Sequence, residues 1–222
     1  GEANLAKLKK SSVAVIGLGG VGSYAAEAIA RCGVGAMTLV DGDTVSITNI
    51  NRQILALTST VGFFKTDVME SRIKDINPEL IVTKHTCRYN EATGDMILDS
   101  DLDYVIDAID SIRDKIHLIK SCLTKGLPLI SSMGMANRLD PLQLTIADIK
   151  QTSICPMAKK IRKELRAEGI ADGVKVVYSR ELPRPVTDQA ETHLGSVAYI
   201  PSIAGLMMAG AVINDLCAAA NQ

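Results

Sequence analysis

The 222-residue sequence has few aromatic residues, no C-x-x-C pair and no excess of charge of either sign. Its five cysteines are dispersed, which argues against a zinc site or a disulfide framework and favours reduced thiols in the cytoplasm. Lysine and arginine total 24, and aspartate and glutamate total 25. Because the charges balance, contact with nucleic acid would require a local basic patch.

Residues 13–43 carry the strongest local pattern. The apolar run Val13–Ile16 predicts a strand, which leads into a turn containing Gly17, Gly19 and Gly22. A helical stretch and a second apolar run, which ends at Asp41, follow the turn. This order places nucleotide phosphates at a helix N-terminus and the ribose on a carboxylate. We expect free N–H groups near residues 23–25 to point at the anion.

Later apolar runs predict further strands, and an alternating pattern over 142–147 predicts an antiparallel one. The fold class is therefore α/β, a Rossmann-like, mostly parallel sheet flanked by helices, with antiparallel strands added in the C-terminal part. We expect one domain over 1–222, with a nucleotide-binding half (1–135) and a substrate and dimer half (136–222). The apolar run 197–213 contains Pro201, which indicates a helix buried against the sheet or a second subunit rather than a membrane span. Residues 179–196 lack periodicity and predict a mobile crossover.

Acidic residues follow the strand predicted at 104–106. Because ligands bind beyond the carboxyl ends of parallel strands, we expect Asp41, Asp107 and Asp110 to converge on one crevice. Asp110 is also a candidate N-cap for the next helix.

The connection 44–65 is polar and too long for a simple turn. It contains Asn49, Arg52 and Gln53, and it ends at Lys65. Two cations with an acid such as Asp110 suit a triphosphate with Mg²⁺. These residues favour ATP over NAD, although an NAD-dependent oxidoreductase or a nucleotide-sensing module stays open as an alternative.

Four sequence elements together resemble the ubiquitin-activating-enzyme superfamily, which includes bacterial members that serve molybdopterin and thiamine biosynthesis. They are GLGGVGS (17–23), DGDTVSITNINRQ (41–53), Lys65 and DAIDS (107–111). The resemblance implies adenylation, in which a carboxylate attacks the α-phosphate of ATP. It assigns catalysis to Arg52, Lys65 and Asp110, and Mg²⁺ binding to Asp110. The implied ATP-binding residues are Gly17, Gly19, Gly20, Val21, Gly22, Asp41, Asp43, Asn49, Arg52, Gln53, Lys65 and Asp107.

Residues 148–166 and 174–183 resemble one zinc-free branch of that superfamily, whose members dehydrate threonylcarbamoyladenosine in tRNA. The branch implies tRNA as substrate, a cytoplasmic homodimer and a possible sulfur-transfer protein as partner. No catalytic cysteine is required there, so we interpret Cys155 as structural rather than nucleophilic. The most basic stretch predicts an RNA contact or a solvated face, and its cations are Lys159, Lys160, Arg162, Lys163 and Arg166. The alternative function is adenylation of the C-terminus of a small ubiquitin-like sulfur carrier.

Overall fold

The computed structural model describes residues 1–98, 101–184 and 194–218. Within them the chain forms helices and strands in the order that the hydrophobic periodicities predict. The helices are α1 Glu2–Leu8, α2 Gly22–Arg31, α3 Lys65–Ile76, α4 Glu91–Ile97, α5 Ile112–Lys125, α6 Pro156–Ala167 and α7 Tyr199–Ala218. The strands are β1 Ser12–Ile16, β2 Ala36–Val40, β3 Ile81–His85, β4 Tyr104–Asp107, β5 Leu129–Ser132, β6 Leu144–Asp148 and β7 Lys175–Ser179.

The strands form one sheet in the order β3-β2-β1-β4-β5-β7-β6. Every neighbouring pair is parallel except β6 and β7, which are antiparallel. This arrangement confirms the predicted mostly parallel sheet with an antiparallel addition in the C-terminal part. The chain moves outward in opposite directions from β1 and β4, so a crevice opens where the carboxyl ends of these two strands diverge.

Two hydrophobic clusters cover the two faces of the sheet. Helices α2, α3 and α7 contribute to one cluster, and α4, α5 and α6 contribute to the other. Across α2 and α3, Glu27 accepts hydrogen bonds from Arg31 and Arg72. Burial alone would raise the pKa of Glu27, but the hydrogen bonds from Arg72 and Arg31 outweigh burial and hold it below its ordinary value.

Helix α7 packs closely on α2. A Cβ added at Gly205 would lie 2.3 Å from the carbonyl oxygen of Val21, so only glycine permits this approach. The helix is long and apolar enough to cross a membrane by length and composition, but half of its most apolar window is buried inside the protein. Such burial is typical of a core helix, as the sequence predicts.

One local expectation needs correction, and one connection is more regular than its sequence indicates. The side chain of Ser111, rather than that of Asp110, accepts the capping hydrogen bond of α5, from the Asp114 amide at 3.5 Å. The connection 44–65 contains two short 3₁₀ turns and a bridge between Thr44 and Phe64, so it has a defined path. Of the segment predicted to be a mobile crossover, residues 185–193 lie outside the described residues.

Candidate active site

A cavity of about 640 Å³ lies at the carboxyl ends of the parallel strands. The glycine turn after β1, the acids after β2, the 44–65 connection and the segment after β5 all contribute to its wall. This position agrees with the crevice that the strand order opens.

The glycine turn is fixed by close backbone contacts. Gly17 has a φ of +91°, and a Cβ there would lie 2.8 Å from the carbonyl oxygen of Ala108. A Cβ at Gly22 would lie 1.8 Å from the carbonyl oxygen of Gly17. At Gly19, by contrast, the nearest atom is Nε2 of Gln53 at 4.0 Å. Gly17 and Gly22 are therefore required by the protein's own packing, whereas Gly19 leaves room for a ligand.

The amides expected to point at an anion are not all free. The Ser23 amide donates to the Gly19 carbonyl, and the Ala25 amide donates to the Val21 carbonyl, each at 3.1 Å. This part of the expectation is wrong, because helical hydrogen bonding already begins at the turn. In the described part of the chain the amides of residues 19–22 donate to no protein acceptor, so these earlier groups are the available donors.

Asp41 joins the end of β2 to the glycine turn. Its Oδ2 accepts from the Leu18 amide at 2.7 Å, and its Oδ1 accepts from the Asp43 amide at 2.8 Å. Its side chain is only 9% exposed. These contacts fix the carboxylate at the mouth of the turn, where a ribose hydroxyl would meet it.

Lys65, the first residue of α3, is 6% exposed and lies between two acids. Its Nζ is 3.1 Å from Oδ2 of Asp43 and 3.6 Å from Oδ1 of Asp41. Burial would raise the pKa of Asp43, but hydrogen bonds from Lys65 and Arg88 hold it below its ordinary value. Lys65 is therefore a buried cation held by two carboxylates.

The 44–65 connection brings three polar side chains to the cavity. Asn49 accepts from the Ser46 amide at 3.0 Å, which fixes its own short turn. Arg52 Nη1 donates to the Thr48 carbonyl at 2.8 Å and lines the wall. Gln53 is 6% exposed, and its Oε1 has no hydrogen-bond partner among the described residues. A buried acceptor without a partner indicates a place for a ligand donor.

Asp107 does not reach the cavity, contrary to expectation. Both Asp107 and Lys115 of α5 are fully buried, and their charged atoms are 2.8 Å apart. Ser131 donates to Asp107 at 2.6 Å, and the Ile109 amide donates to it at 3.1 Å. Burial lowers the pKa of Lys115, although Asp107 opposes that shift. The carboxylate pairs with Lys115 of α5 and accepts from the Ile109 amide, so it fixes the turn that leads to Asp110.

Asp110 does line the cavity and is exposed. Its carboxylate has neither a hydrogen bond nor an ion pair among the residues that the structure describes, since the α5 cap is Ser111. Asp114, one turn into α5, lines the same wall. A free carboxylate beside a phosphate pocket matches the way Mg²⁺ is held, through one or two carboxylates and the phosphates themselves.

Several cavity residues were missed by the sequence reasoning. Arg88 and Tyr89 follow β3, and their position after a parallel strand is the signal that would have found them. Arg88 contacts Asp43 at 3.1 Å. The Tyr89 hydroxyl lies 3.1 Å from Nδ1 of His117, and burial raises the pKa of Tyr89 to about 12. Residues 132–136 and Met157 form the wall on the β5 side.

The first turn of the basic helix α6 carries Met157, which lines this wall. Four of its five named cations are exposed, but Arg162 is half-buried and donates to the Thr152 carbonyl at 3.0 Å. Arg162 therefore holds the turn before α6, unlike the other cations. Cys155 is 2% exposed and does not line the cavity, which suits a structural thiol.

Comparisons with known proteins agree with this geometry. The model of the ThiF family matches residues 1–222. A tRNA threonylcarbamoyladenosine dehydratase from Bacillus subtilis (strain 168) is 50% identical over 230 residues, which cover 97% of this chain and 91% of that protein. One of the same name from Escherichia coli (strain K12) is 41% identical over 188 residues, covering 82% of this chain and 70% of that protein. The crystal structure of an E. coli tRNA N6-threonylcarbamoyladenosine dehydratase in complex with ATP superposes with a TM-score of 0.94, at 36% identity, over 100% of this chain and 91% of that one. The chain therefore belongs to the ThiF family.

Proposed function

We propose that this protein is an ATP-dependent tRNA threonylcarbamoyladenosine dehydratase. The observation that carries the proposal is the cavity in which the glycine turn, Arg52, Lys65 and Asp110 meet. It lies in a chain that is similar over nearly its whole length to the B. subtilis enzyme of that name. The ATP complex of the E. coli relative supports ATP as the nucleotide.

The cavity residues suit the first half of the reaction. Asp41 and the glycine turn bind adenosine and ribose, and Asn49, Arg52 and Lys65 bind the phosphates. A carboxylate oxygen of the threonyl group then attacks the α-phosphorus, and pyrophosphate leaves. The chain contributes mainly by positioning the reactants and by neutralising phosphate charge.

The second half of the reaction closes a ring within the substrate. The carbamoyl nitrogen attacks the activated acyl carbon, AMP leaves with the former carboxylate oxygen, and the nitrogen loses a proton. The net change in the nucleoside is the loss of one water. Because the nucleophile belongs to the substrate, the burial of Cys155 is no obstacle.

Asp110 is the proposed ligand for Mg²⁺, since it is a free carboxylate in the cavity wall. A bound Mg²⁺ would neutralise charge on the phosphates and favour departure of pyrophosphate. Asp107 would act on the nucleotide only indirectly, by fixing the turn that carries Asp110.

The exposed face of α6 is the proposed tRNA contact. Its lysines and Arg166 form no ion pairs within the described chain, so they are free to meet RNA phosphates. Because α6 starts at the cavity wall, RNA bound there would bring a modified base to the nucleotide. In this scheme residues 1–135 bind ATP, and residues 136–222 receive the substrate and a second subunit.

A homodimer is the proposed assembly. Helix α7 exposes half of Leu206, and the 44–65 connection exposes Leu57, Phe63 and Phe64. Exposed apolar groups of this size favour association with another surface. Sedimentation of the wild type and of a Leu57→Ser, Phe63→Ser variant tests the proposed dimer, and an unchanged dimer would exclude the apolar side chains of the 44–65 connection as its interface.

The deciding experiment incubates the protein with tRNA, ATP and Mg²⁺ and measures the tRNA nucleosides by mass spectrometry. We expect threonylcarbamoyladenosine to lose one water and pyrophosphate to be released. Pyrophosphate release that depends on a small protein ending in Gly-Gly, and not on tRNA, would instead favour the sulfur-carrier alternative. Cell fractionation tests the expected cytoplasmic location. Co-purification tests the expected sulfur-transfer partner.

A further inference from the structure

The wall of the cavity beyond β5 is uncharged and rich in methionine. Residues 132–136 have the sequence SMGMA, and Met157 of α6 joins them in the wall. The Met133 amide donates to the Val177 carbonyl at 2.8 Å, so the hydrogen bonding between β5 and β7 continues into this segment. The wall therefore contrasts with the charged wall near β1 and β2, which carries the acids and cations of the proposed phosphate site.

Gly134 leaves space in the methionine wall. A Cβ added there would lie 3.7 Å from Cβ and 4.0 Å from Cε of Met157, which are ordinary contact distances. Unlike Gly17, Gly134 also lies outside the positive φ region that favours glycine. Neither packing nor backbone conformation requires glycine at this position, and the space that glycine leaves opens on the cavity.

The chemistry of this wall suits a flat aromatic ring. Methionine side chains are flexible and polarisable, and their sulfur makes favourable contacts with aromatic rings. An uncharged surface does not compensate a phosphate or a carboxylate for its lost hydration, so it disfavours both groups. The proposed reaction supplies two flat rings, which are the adenine of ATP and the adenine of the tRNA nucleoside.

The strand order separates the places of these two rings. Asp41, the proposed ribose ligand, follows β2, and both β1 and β4 lie between β2 and β5. A nucleotide whose ribose meets Asp41 and whose phosphates meet the glycine turn extends along the ends of β2 and β1. The β5 wall is therefore left to the second ring.

The basic helix α6 connects the methionine wall to the proposed RNA surface. Met157 lies in its first turn, and Lys160 and Lys163 follow within about 9 Å along the helix axis. Both lysines are exposed, so they can meet RNA phosphates. A base turned out of the RNA stack, as in other enzymes that act on bases, would then reach the methionine wall.

We propose that the space between Gly134 and Met157, bordered by the other two methionines of the wall, binds the adenine ring of the modified tRNA nucleoside. This inference rests on the proposed function. Because β4 lies between β5 and the glycine turn, the threonylcarbamoyl group on this ring would extend past Asp110 toward the α-phosphate of ATP. The pocket would fix the base, while the charged wall would act on the carboxylate and the phosphates.

The experiment measures binding of two RNA stem-loops in the presence of a non-hydrolysable ATP analogue. One stem-loop carries threonylcarbamoyladenosine, and the other carries an abasic ribose at the same position. Gly134→Val fills the proposed space, and its Cβ would meet only Met157, at ordinary contact distances. We expect the wild type to prefer the stem-loop with the base by about tenfold or more, and Gly134→Val to lose most of that preference.

Met157→Ala tests the pocket from its other side, because it removes a contact without filling the space. We expect its preference for the base to be about threefold lower than that of the wild type. Met96→Ala is the matched control, since Met96 of α4 is 58% exposed and lies outside the cavity wall. Its preference should equal that of the wild type. Should Gly134→Val melt at a lower temperature than the wild type, the smaller change Gly134→Ala replaces it.

Four results would overturn the pocket. Equal binding of the two stem-loops by the wild type would exclude it, and an unchanged preference in Gly134→Val would place the base elsewhere. Equal weakening of both stem-loops by Gly134→Val would assign the wall to the RNA backbone, and weaker binding of the ATP analogue alone would assign it to the adenine of ATP. The wild-type reaction with ATP and Mg²⁺ is measured in parallel, and absence of the dehydrated nucleoside there would contradict the proposed function itself.

Discussion

Replacing Lys115 with Met tests the buried ion pair beneath the active site. Lys115 and Asp107 are both fully buried, so the substitution leaves an uncompensated carboxylate inside the protein. Removing one partner of such a pair costs about 3–5 kcal/mol of unfolding free energy. For a chain of this length that corresponds to a fall in melting temperature of about 10 °C. Thermal and urea denaturation, followed by circular dichroism, measure both quantities.

The control is Lys120→Met, the same substitution on the same helix. Lys120 pairs with Glu168 on the surface, where both side chains are at least 40% exposed, and we expect a cost of at most about 1 kcal/mol. The double variant Asp107→Asn, Lys115→Met removes both charges and should recover about half of the loss. Equal costs for Lys115→Met and Lys120→Met would refute the reasoning. A double variant no more stable than Lys115→Met would attribute the loss to packing instead of charge.

Three further predictions concern catalysis, RNA binding and acid stability. Lys65→Ala should slow pyrophosphate release about 100-fold or more, because a buried phosphate contact is lost, and an unchanged rate would remove Lys65 from the site. Replacing Lys159, Lys160 and Lys163 with Gln should reduce the slope of log affinity for tRNA against log salt by about 2, and an unaltered slope would place the RNA elsewhere. Because the folded pKa of Glu27 lies below 4.5, its contribution to stability is present above that pH and is lost as pH falls through the folded value. The free energy of unfolding of Glu27→Gln should therefore fall less at acidic pH than that of the wild type. An equal fall in both proteins would contradict the pKa shift.

Periodicity was sufficient to predict the architecture. Apolar runs marked the parallel strands, and the alternating run at 142–147 overlaps β6, which is antiparallel as expected but begins only at Leu144 because Leu142 lies in an exposed 3₁₀ turn. Local chemistry was less decisive at helix ends, because Asp110 and Ser111 are both good N-caps and only the folded backbone chooses between them. The path of the 44–65 connection also depends on tertiary contacts, which leave no periodic signal in the sequence.

Site residues could be predicted where their spacing along the chain from a strand end fixes their position in the fold. Asp41, Lys65 and Asp110 line the cavity as expected. Asp107 does not, because its partner Lys115 stands on a helix that packs against the sheet, and its direction depends on that packing.

The contacts of Lys65 bear on how the cavity binds its nucleotide. Lys65 lies between two acids, so a phosphate must replace carboxylate contacts that already neutralise the lysine. This arrangement limits the gain from any single phosphate and makes nucleotide binding depend on several contacts at once.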